Sequence, residues 1–391
     1  MAHNVETTIH LDLDPDDGVG LRVPGPTPLP PAVRAALSRQ MVNHRGPEFA
    51  EIMNEVHRDL AHFFVTENPV LTFPAAGTGG LEATIVNLLS PGDEVVVVSV
   101  GVFGDRFGEI ASAFGVQTHR LSYPLGEAAE PDEVAALLQR RPEAKAVLVT
   151  QNETSTGVIN DIEAIARAVR SVRPDILLLV DGISALGAAP LYTDDWDIDV
   201  VVTGSQKAWM TPPGMTMLSV SPRAWDAHQT ARLPRYYWDF TAARKTVDIA
   251  SPPYTPAVSL YYALQVALRA MRAEGREAFW ARHARVADHA RASARRLGLG
   301  LFAAPAHPSP SVSSVVIPEG VDAKRLLRDA REMHGVVFAS GQRELSGKIL
   351  RVGHLGWVDE GHIDRAFAAL ASCLAAQGWS AVSHVPAEAT I

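Results

Sequence analysis

Short runs of consecutive apolar residues, each closed by glycine, proline or a polar cluster, punctuate this chain. They fall at 71–73 (LTF), 94–100 (EVVVVSV), 146–150 (AVLVT), 176–180 (ILLLV), 199–203 (DVVVT) and 217–220 (MLSV). Runs this short, apolar at both odd and even positions and rich in valine, predict strands buried on both faces, as in a parallel sheet. Between them apolar residues recur at helical spacing. Pro31 opens a helix expected to bury Val33, Leu37 and Met41. Residues 48–64 repeat through Phe49, Ile52, Met53, Val56, Leu60 and Phe63, and a helix after Gly80 carries Leu81, Ile85, Leu88 and Leu89. Residues 162–172 form another amphipathic helix. The alternation over 71–205 predicts an α/β fold with a mostly parallel, doubly wound sheet.

Beyond Pro213-Gly214 the pattern changes. A polar, proline-interrupted connection over 239–256 leads into long helices at 256–272 and 276–297. Strand-like runs at 313–318, 336–340 and 349–352 then alternate with helices near 321–333 and 359–376. The expected organisation is an Asp-rich arm over 1–20, a large α/β domain over 21–255 and a smaller C-terminal α+β domain over 256–391. A chain of 391 residues, 47% hydrophobic, can bury cores for both domains.

Composition removes several function classes. A net charge of −9, spread along the chain, argues against a nucleic-acid surface. The one cysteine, Cys373, leaves no internal disulfide and no thiolate cluster, and its place in an amphipathic helix suits a core residue. The 14 histidines show no paired helical zinc spacing, so no metal site is expected. No apolar run reaches membrane-spanning length, no signal pattern opens the chain, and its final Ala-Thr-Ile is not a peroxisomal address. A cytoplasmic protein is expected.

The candidate chemistry gathers where strands end. Asp181 follows the 176–180 run directly, and Lys207 lies four residues past the 199–203 run. Ligands of open α/β sheets bind beyond the carboxyl ends of the strands. An acid and a lysine at two such ends suit a cofactor with a basic ring nitrogen and an aldehyde, as in pyridoxal phosphate. Alone, the pair would also suit a turn-capping Asp and a surface Lys. The turn Ala75-Ala76-Gly77-Thr78-Gly79-Gly80 opens a helix and reads as an anion site, although it partly imitates a dinucleotide fingerprint. Phe103 follows the 94–100 run, placed either to stack on a flat ring or to join the core. The polar stretch Gln151-Asn152-Glu153-Thr154-Ser155-Thr156-Gly157 follows the 146–150 run, with hydroxyls suited to a phenolic oxygen. Arg351 interrupts the apolar run 349–353; its planar fork suits a substrate carboxylate, and equally a structural ion pair. Gly25, between two prolines, could bring backbone against a ligand or serve as plain linker.

Taken together, these stretches resemble class V pyridoxal-phosphate aminotransferases, and within them the alanine–glyoxylate and serine–glyoxylate (serine–pyruvate) group. The resemblance runs through Val23-Pro-Gly-Pro-Thr27, Asn43-His-Arg45, the Gly77-Thr-Gly turn, Asn152-Glu-Thr-Ser-Thr-Gly157, Asp181-Gly-Ile-Ser184, Gly204-Ser-Gln-Lys207 and Leu350-Arg-Val-Gly353, covering nearly the whole chain in order. It implies fold type I and a homodimer with active sites shared across the interface. By residue, Lys207 matches the Schiff-base lysine and general acid/base, and Asp181 the partner of the ring nitrogen. Gly77, Thr78 and Gln206 match phosphate contacts, Phe103 the stacking ring, and Thr154 the neighbour of the phenolic oxygen. Arg351 matches the substrate-carboxylate anchor and Gly25 the loop over the substrate. Ser251, Tyr254 and Thr255 fall where the family sends phosphate contacts from the second subunit. Two positions depart from the family: Ala76 stands where several members have Ser, and Phe103 where the animal alanine–glyoxylate enzymes have Trp.

The implied reaction is ping-pong transamination from a small amino acid, alanine or serine, to a 2-oxo acid, glyoxylate or pyruvate. Aminotransferases for 2-aminoethylphosphonate, ureidoglycine or aspartate share the scaffold. A cysteine desulfurase would need a mobile cysteine in a loop, and Gln206 replaces the His usual before its lysine. A Rossmann dehydrogenase using 77–80 would leave Asp181 and Lys207 unexplained. A non-catalytic protein of this fold is disfavoured by the intact Lys207, Asp181 and Arg351.

Overall fold

The computed structural model describes residues 20–379; most of the expected arm, residues 1–19, and the Ala-Thr-Ile end lie outside the described residues. A seven-stranded sheet organises the chain, in the order Val70–Phe73, Thr216–Val220, Val200–Gly204, Leu177–Asp181, Ala144–Thr150, Glu94–Ser99, Gln117–Ser122. All neighbours pair parallel except where Thr216–Val220 runs antiparallel to both of its own.

The valine-rich strands need two apolar faces because helices cover both. Val96, Val98, Val147, Val149, Leu178, Val180 and Val201 point into one core, with Phe49, Phe63, Ile165 and Trp209. Their alternates Val95, Val97, Leu148, Leu177, Leu179, Val200 and Val202 point into the other, with Leu81, Ile85, Phe107 and Phe240. This period-2 division accounts for the unbroken apolar runs. After Glu94–Ser99 the chain steps outward to the edge strand Gln117–Ser122, then returns to the other side at Ala144–Thr150. Strand order therefore reverses between Glu94–Ser99 and Ala144–Thr150, which opens a crevice beyond their carboxyl ends.

A second, four-stranded sheet joins Gly20–Arg22, Val336–Ser340, Ile349–Gly353 and Val312–Val316 in that order. Gly20–Arg22 pairs parallel to Val336–Ser340, and the remaining pairings are antiparallel. Its core includes Leu326, Phe338, Leu350, Val352, Phe367, Leu370 and Cys373. The helix Val258–Glu274 buries Tyr261, Tyr262, Leu264, Leu268 and Met271 in the core of the large sheet. Packing thus carries that layer past residue 256, where the smaller domain was expected to begin. Among the described residues, no helix is long and apolar enough to cross a membrane.

Some elements differ from the sequence expectation. The first helix ends at Leu37, and Met41 beyond it is 54% exposed instead of buried. The expected connection over 239–256 contains a helix, Phe240–Ile249, pinned by Phe240 and Ala243 against the core. The edge strand Gln117–Ser122 has no fully buried residue and so no apolar pattern to announce it.

Candidate active site

Lys207 is held by the way its chain segment is anchored. The strand Val200–Gly204 ends three residues before it, and Trp209, fully buried, donates from Nε1 to Thr203 Oγ1 at 2.9 Å. Ser205 ties the loop again, donating from Oγ to the Pro212 carbonyl at 2.6 Å. On the neighbouring strand, Asp181 is the last residue of Leu177–Asp181, and its Oδ1 accepts from the Ile183 amide at 2.9 Å. Both side chains line one cleft of about 520 Å³, open mouth included, together with Gly77, Thr78, Thr154 and Gln206.

Burial acts on the two groups in opposite senses. It is the main force pushing the Asp181 carboxyl up to about 7, and the charge of Glu153 adds to it. It pushes the Lys207 amine down to about 8, opposed by the attraction of Asp181. Both effects disfavour the charged form in a low-dielectric site. They leave a lysine that exchanges a proton near neutral pH.

The helix Gly77–Leu88 points its N-terminus at the cleft, and no side chain caps its first amides. Phe103 sits in the first turn of the helix Val102–Ala113, and the Arg106 guanidinium lies 4.8 Å from the centre of its ring. Thr154 donates from Oγ1 to Ser184 Oγ at 2.7 Å. Arg351, buried in the strand Ile349–Gly353, donates from Nε to the Ser340 carbonyl at 2.9 Å and from a terminal nitrogen to the Thr154 carbonyl at 3.2 Å. Gly25 lies directly against the Lys207 side chain.

The model of the family "Aminotransferase class-V" matches residues 24–353. The chain belongs to the class-V aminotransferase family. A relative from Synechococcus sp. named "Soluble hydrogenase, small subunit" is 43% identical over 93% of this chain and 95% of its own. The L-aspartate–glyoxylate aminotransferase of Paracoccus denitrificans is 37% identical over 85% of each chain. The solved structure of an alanine–glyoxylate aminotransferase from Nostoc sp. superposes with a TM-score of 0.88, covering 96% of this chain and all of its own at 30% identity.

The cofactor of class-V aminotransferases is pyridoxal phosphate, and this aminotransferase has the groups to receive it. Both polar atoms of the Asn152 side chain and Gln206 Oε1 are buried without a hydrogen-bond partner, and both residues line the cleft. Buried polar atoms left unpaired where they line a cleft are suited to bond what enters it, a ligand or water. The capless helix N-terminus suits a phosphate, and Asp181 a ring nitrogen.

Sequence reasoning missed Arg106 and Asn152 as members of this aminotransferase's cleft. Arg106 was legible in principle, three residues past Phe103 and on the same helical face. Ser251, Tyr254 and Thr255 do not join this chain's cleft. Tyr254 instead stacks on Tyr237 at 5.3 Å and on Tyr236 at 5.9 Å, beside a separate hollow near Thr72 and Phe73. Arg343, in the connection before Ile349–Gly353, pairs with Asp105 at 2.7 Å and Glu109 at 3.2 Å. Arg235 is taken up by backbone carbonyls and Asp239, and Arg45 reaches the Pro253 carbonyl at 3.4 Å.

Proposed function

We propose that this aminotransferase moves the amino group of alanine or serine to glyoxylate or pyruvate by a ping-pong exchange. The observation that carries the reading is the meeting of Lys207 and Asp181, from adjacent strand ends, in the cleft that the Gly77–Leu88 N-terminus faces. When bound there, pyridoxal phosphate supplies an aldehyde carbon and an electron-withdrawing ring.

The chain's residues divide the remaining work. Lys207 would hold the cofactor through its amine and, once displaced by the amino group of the substrate, would carry the proton from the substrate Cα to the former aldehyde carbon of the cofactor; an amine lowered to about 8 suits both taking and giving that proton. Asp181 holds a proton on the ring nitrogen, and a cation placed against it draws its raised carboxyl back into the ionised range. Gly77, Thr78 and Gln206 bind the phosphate, Phe103 stacks on the ring, and Thr154 bonds the phenolic oxygen. Arg351 binds the substrate carboxylate, and Gly25 closes over the substrate. Ser251, Tyr254 and Thr255 reach the phosphate of a second copy in a homodimer; Tyr236 and Ile249, 79% and 70% exposed nearby, support such a contact. The compartment is the cytoplasm.

Cys373 supports transamination over desulfuration. It is buried in the core of the smaller sheet, where burial raises its thiol, and a sulfur-transferring thiolate needs access. A second reading takes aspartate as donor. Arg106 favours it, since the guanidinium lines the cleft without an ion-pair partner among the described residues, and the Paracoccus relative is named for aspartate.

The test is the visible spectrum of the purified protein with pyridoxal phosphate, before and after separate additions of L-alanine, L-serine, L-aspartate and 2-aminoethylphosphonate. Loss of the cofactor band with alanine or serine, and its return with glyoxylate or pyruvate, is the expected result. A response to aspartate alone selects the second reading. No band with added cofactor overturns both.

A further inference from the structure

Glu153 is fully buried beside the cleft and, apart from its charge acting on Asp181, has no role in the chemistry above. Four donors close on its carboxylate. Oε2 accepts from the Phe103 amide at 3.0 Å and the Gly104 amide at 3.2 Å. Oε1 accepts from the Ser155 amide at 3.0 Å and the Ser155 hydroxyl at 2.6 Å. The Ser155 oxygen in turn accepts from the Val102 amide at 3.2 Å.

These bonds make an N-terminal cap supplied from elsewhere in the chain. The helix Val102–Ala113 begins after Gly101, which has no side chain to cap it. A Cβ at Gly101 would lie 2.7 Å from Glu153 Cγ and Cδ and from Ser155 Oγ, so the glycine leaves room for the carboxylate. Glu153 and Ser155 together take up the first three amides of the helix that carries Phe103 and Arg106. The same carboxylate closes the turn on either side of Thr154. Thr154 bonds Ser184 through its hydroxyl and receives Arg351 on its carbonyl.

We propose that Glu153 is a positioning residue that sets the distance between the Phe103 ring and the Thr154–Arg351 edge of the cleft, and so governs both cofactor retention and amino-acid binding. The inference rests on the reading above of Phe103, Thr154 and Arg351. A carboxylate is required because every contact is a donor, two on each oxygen. Glutamine offers one accepting oxygen and turns an NH₂ toward donors on the other side. Alanine leaves four donors unanswered in a buried site. Burial pushes the Glu153 carboxyl up, and the hydrogen bonds from Ser155, Gly104 and Phe103 oppose that rise by favouring the carboxylate.

The experiment compares wild type, Glu153→Gln and Ser155→Ala. It measures the dissociation constant of pyridoxal phosphate for the cofactor-free protein, KM and kcat for the amino donor, and Tm without cofactor. In Glu153→Gln, cofactor affinity falls about tenfold and KM rises by a similar factor, the scale of one lost charged hydrogen bond. Ser155→Ala shifts both constants in the same direction by a smaller factor. Unchanged cofactor affinity and KM in Glu153→Gln, with or without a lower Tm, overturns the proposal by reducing Glu153 to a structural role. Should Glu153→Gln not fold, wild-type constants in Ser155→Ala overturn it. If wild type itself binds no pyridoxal phosphate, the functional reading fails first; if wild type binds and the variants match it, only this inference fails.

Discussion

Lys207 donates from Nζ to the Pro24 carbonyl at 2.6 Å, and the bond ties the amine to the loop before Thr27. Thr27 completes the tie, donating from its amide to the Gln206 carbonyl at 3.1 Å and from Oγ1 to the Lys207 carbonyl at 3.0 Å. The loop and the lysine therefore form one bonded unit, and what moves the first displaces the second.

Gly25→Ala tests this unit. Gly25 has a φ of +125°, which L side chains rarely adopt, and an added Cβ would lie 2.8–2.9 Å from Lys207 Cδ, Cε and Nζ. The expected result is a fall in kcat of roughly 100-fold, the scale set by an ångström of misplacement. Single-turnover kinetics with a saturating amino donor check it.

Arg351→Ala separates substrate binding from chemistry. Its guanidinium already has backbone partners on one side, which orient the fork for a carboxylate. Removing a charged hydrogen-bonding group costs about 1.5–3 kcal/mol, so KM for the amino donor should rise about 10- to 100-fold with kcat little changed. A steady-state KM equal to that of wild type would place the carboxylate elsewhere.

The Asp181 carboxyl titrates near 7 in the fold and near 3.8 when unperturbed. Between those values the unfolded chain has lost a proton that the folded chain keeps. The unfolded state binds fewer protons, so the Asp181 contribution to stability is present below about pH 4 and is lost as pH rises through 7. Lys207 behaves inversely: its contribution is present above 10.5 and is lost as pH falls through 8. For the cofactor-free protein, the two together are least favourable between pH 7 and 8. Asp181→Asn should remove the acid limb, so Tm of wild type minus Tm of the variant should fall between pH 4.5 and 7. Melting curves across that range check the sign.

Two ion-pair groups should differ sharply in their worth. Asp199 has a fully buried side chain paired with Arg170 at 2.7 Å and Arg223 at 2.8 Å, and it also accepts from the Leu178 amide. Asp199→Ala leaves the buried Leu178 amide and the partly buried Arg170 and Arg223 without this carboxylate and should cost about 3 kcal/mol. Arg343 is half exposed, so Arg343→Ala should cost under about 1 kcal/mol. Denaturant unfolding of both variants measures the contrast.

The sequence by itself determined the doubly wound layer and the acid–lysine pair at its strand ends. A strand covered on both faces must be apolar at every position, so 94–100, 146–150, 176–180 and 199–203 declared themselves without tertiary information. Side chains that follow such strands project past the sheet edge by geometry alone, which made Asp181, Lys207, Phe103 and Thr154 legible. The helix Phe240–Ile249 and the strand Gln117–Ser122 stayed hidden because one packs through few side chains and the other lies at an edge. Only the tertiary structure decided which polar residues turn inward. Arg106, Asn152 and Glu153 lie on the cleft or its wall, and the Phe103 and Gly104 amides that hold Glu153 there are 50 and 49 positions away in the chain. Local periodicity carries no record of such long-range pairing, because a hydrogen bond between distant segments leaves no spacing in the chain.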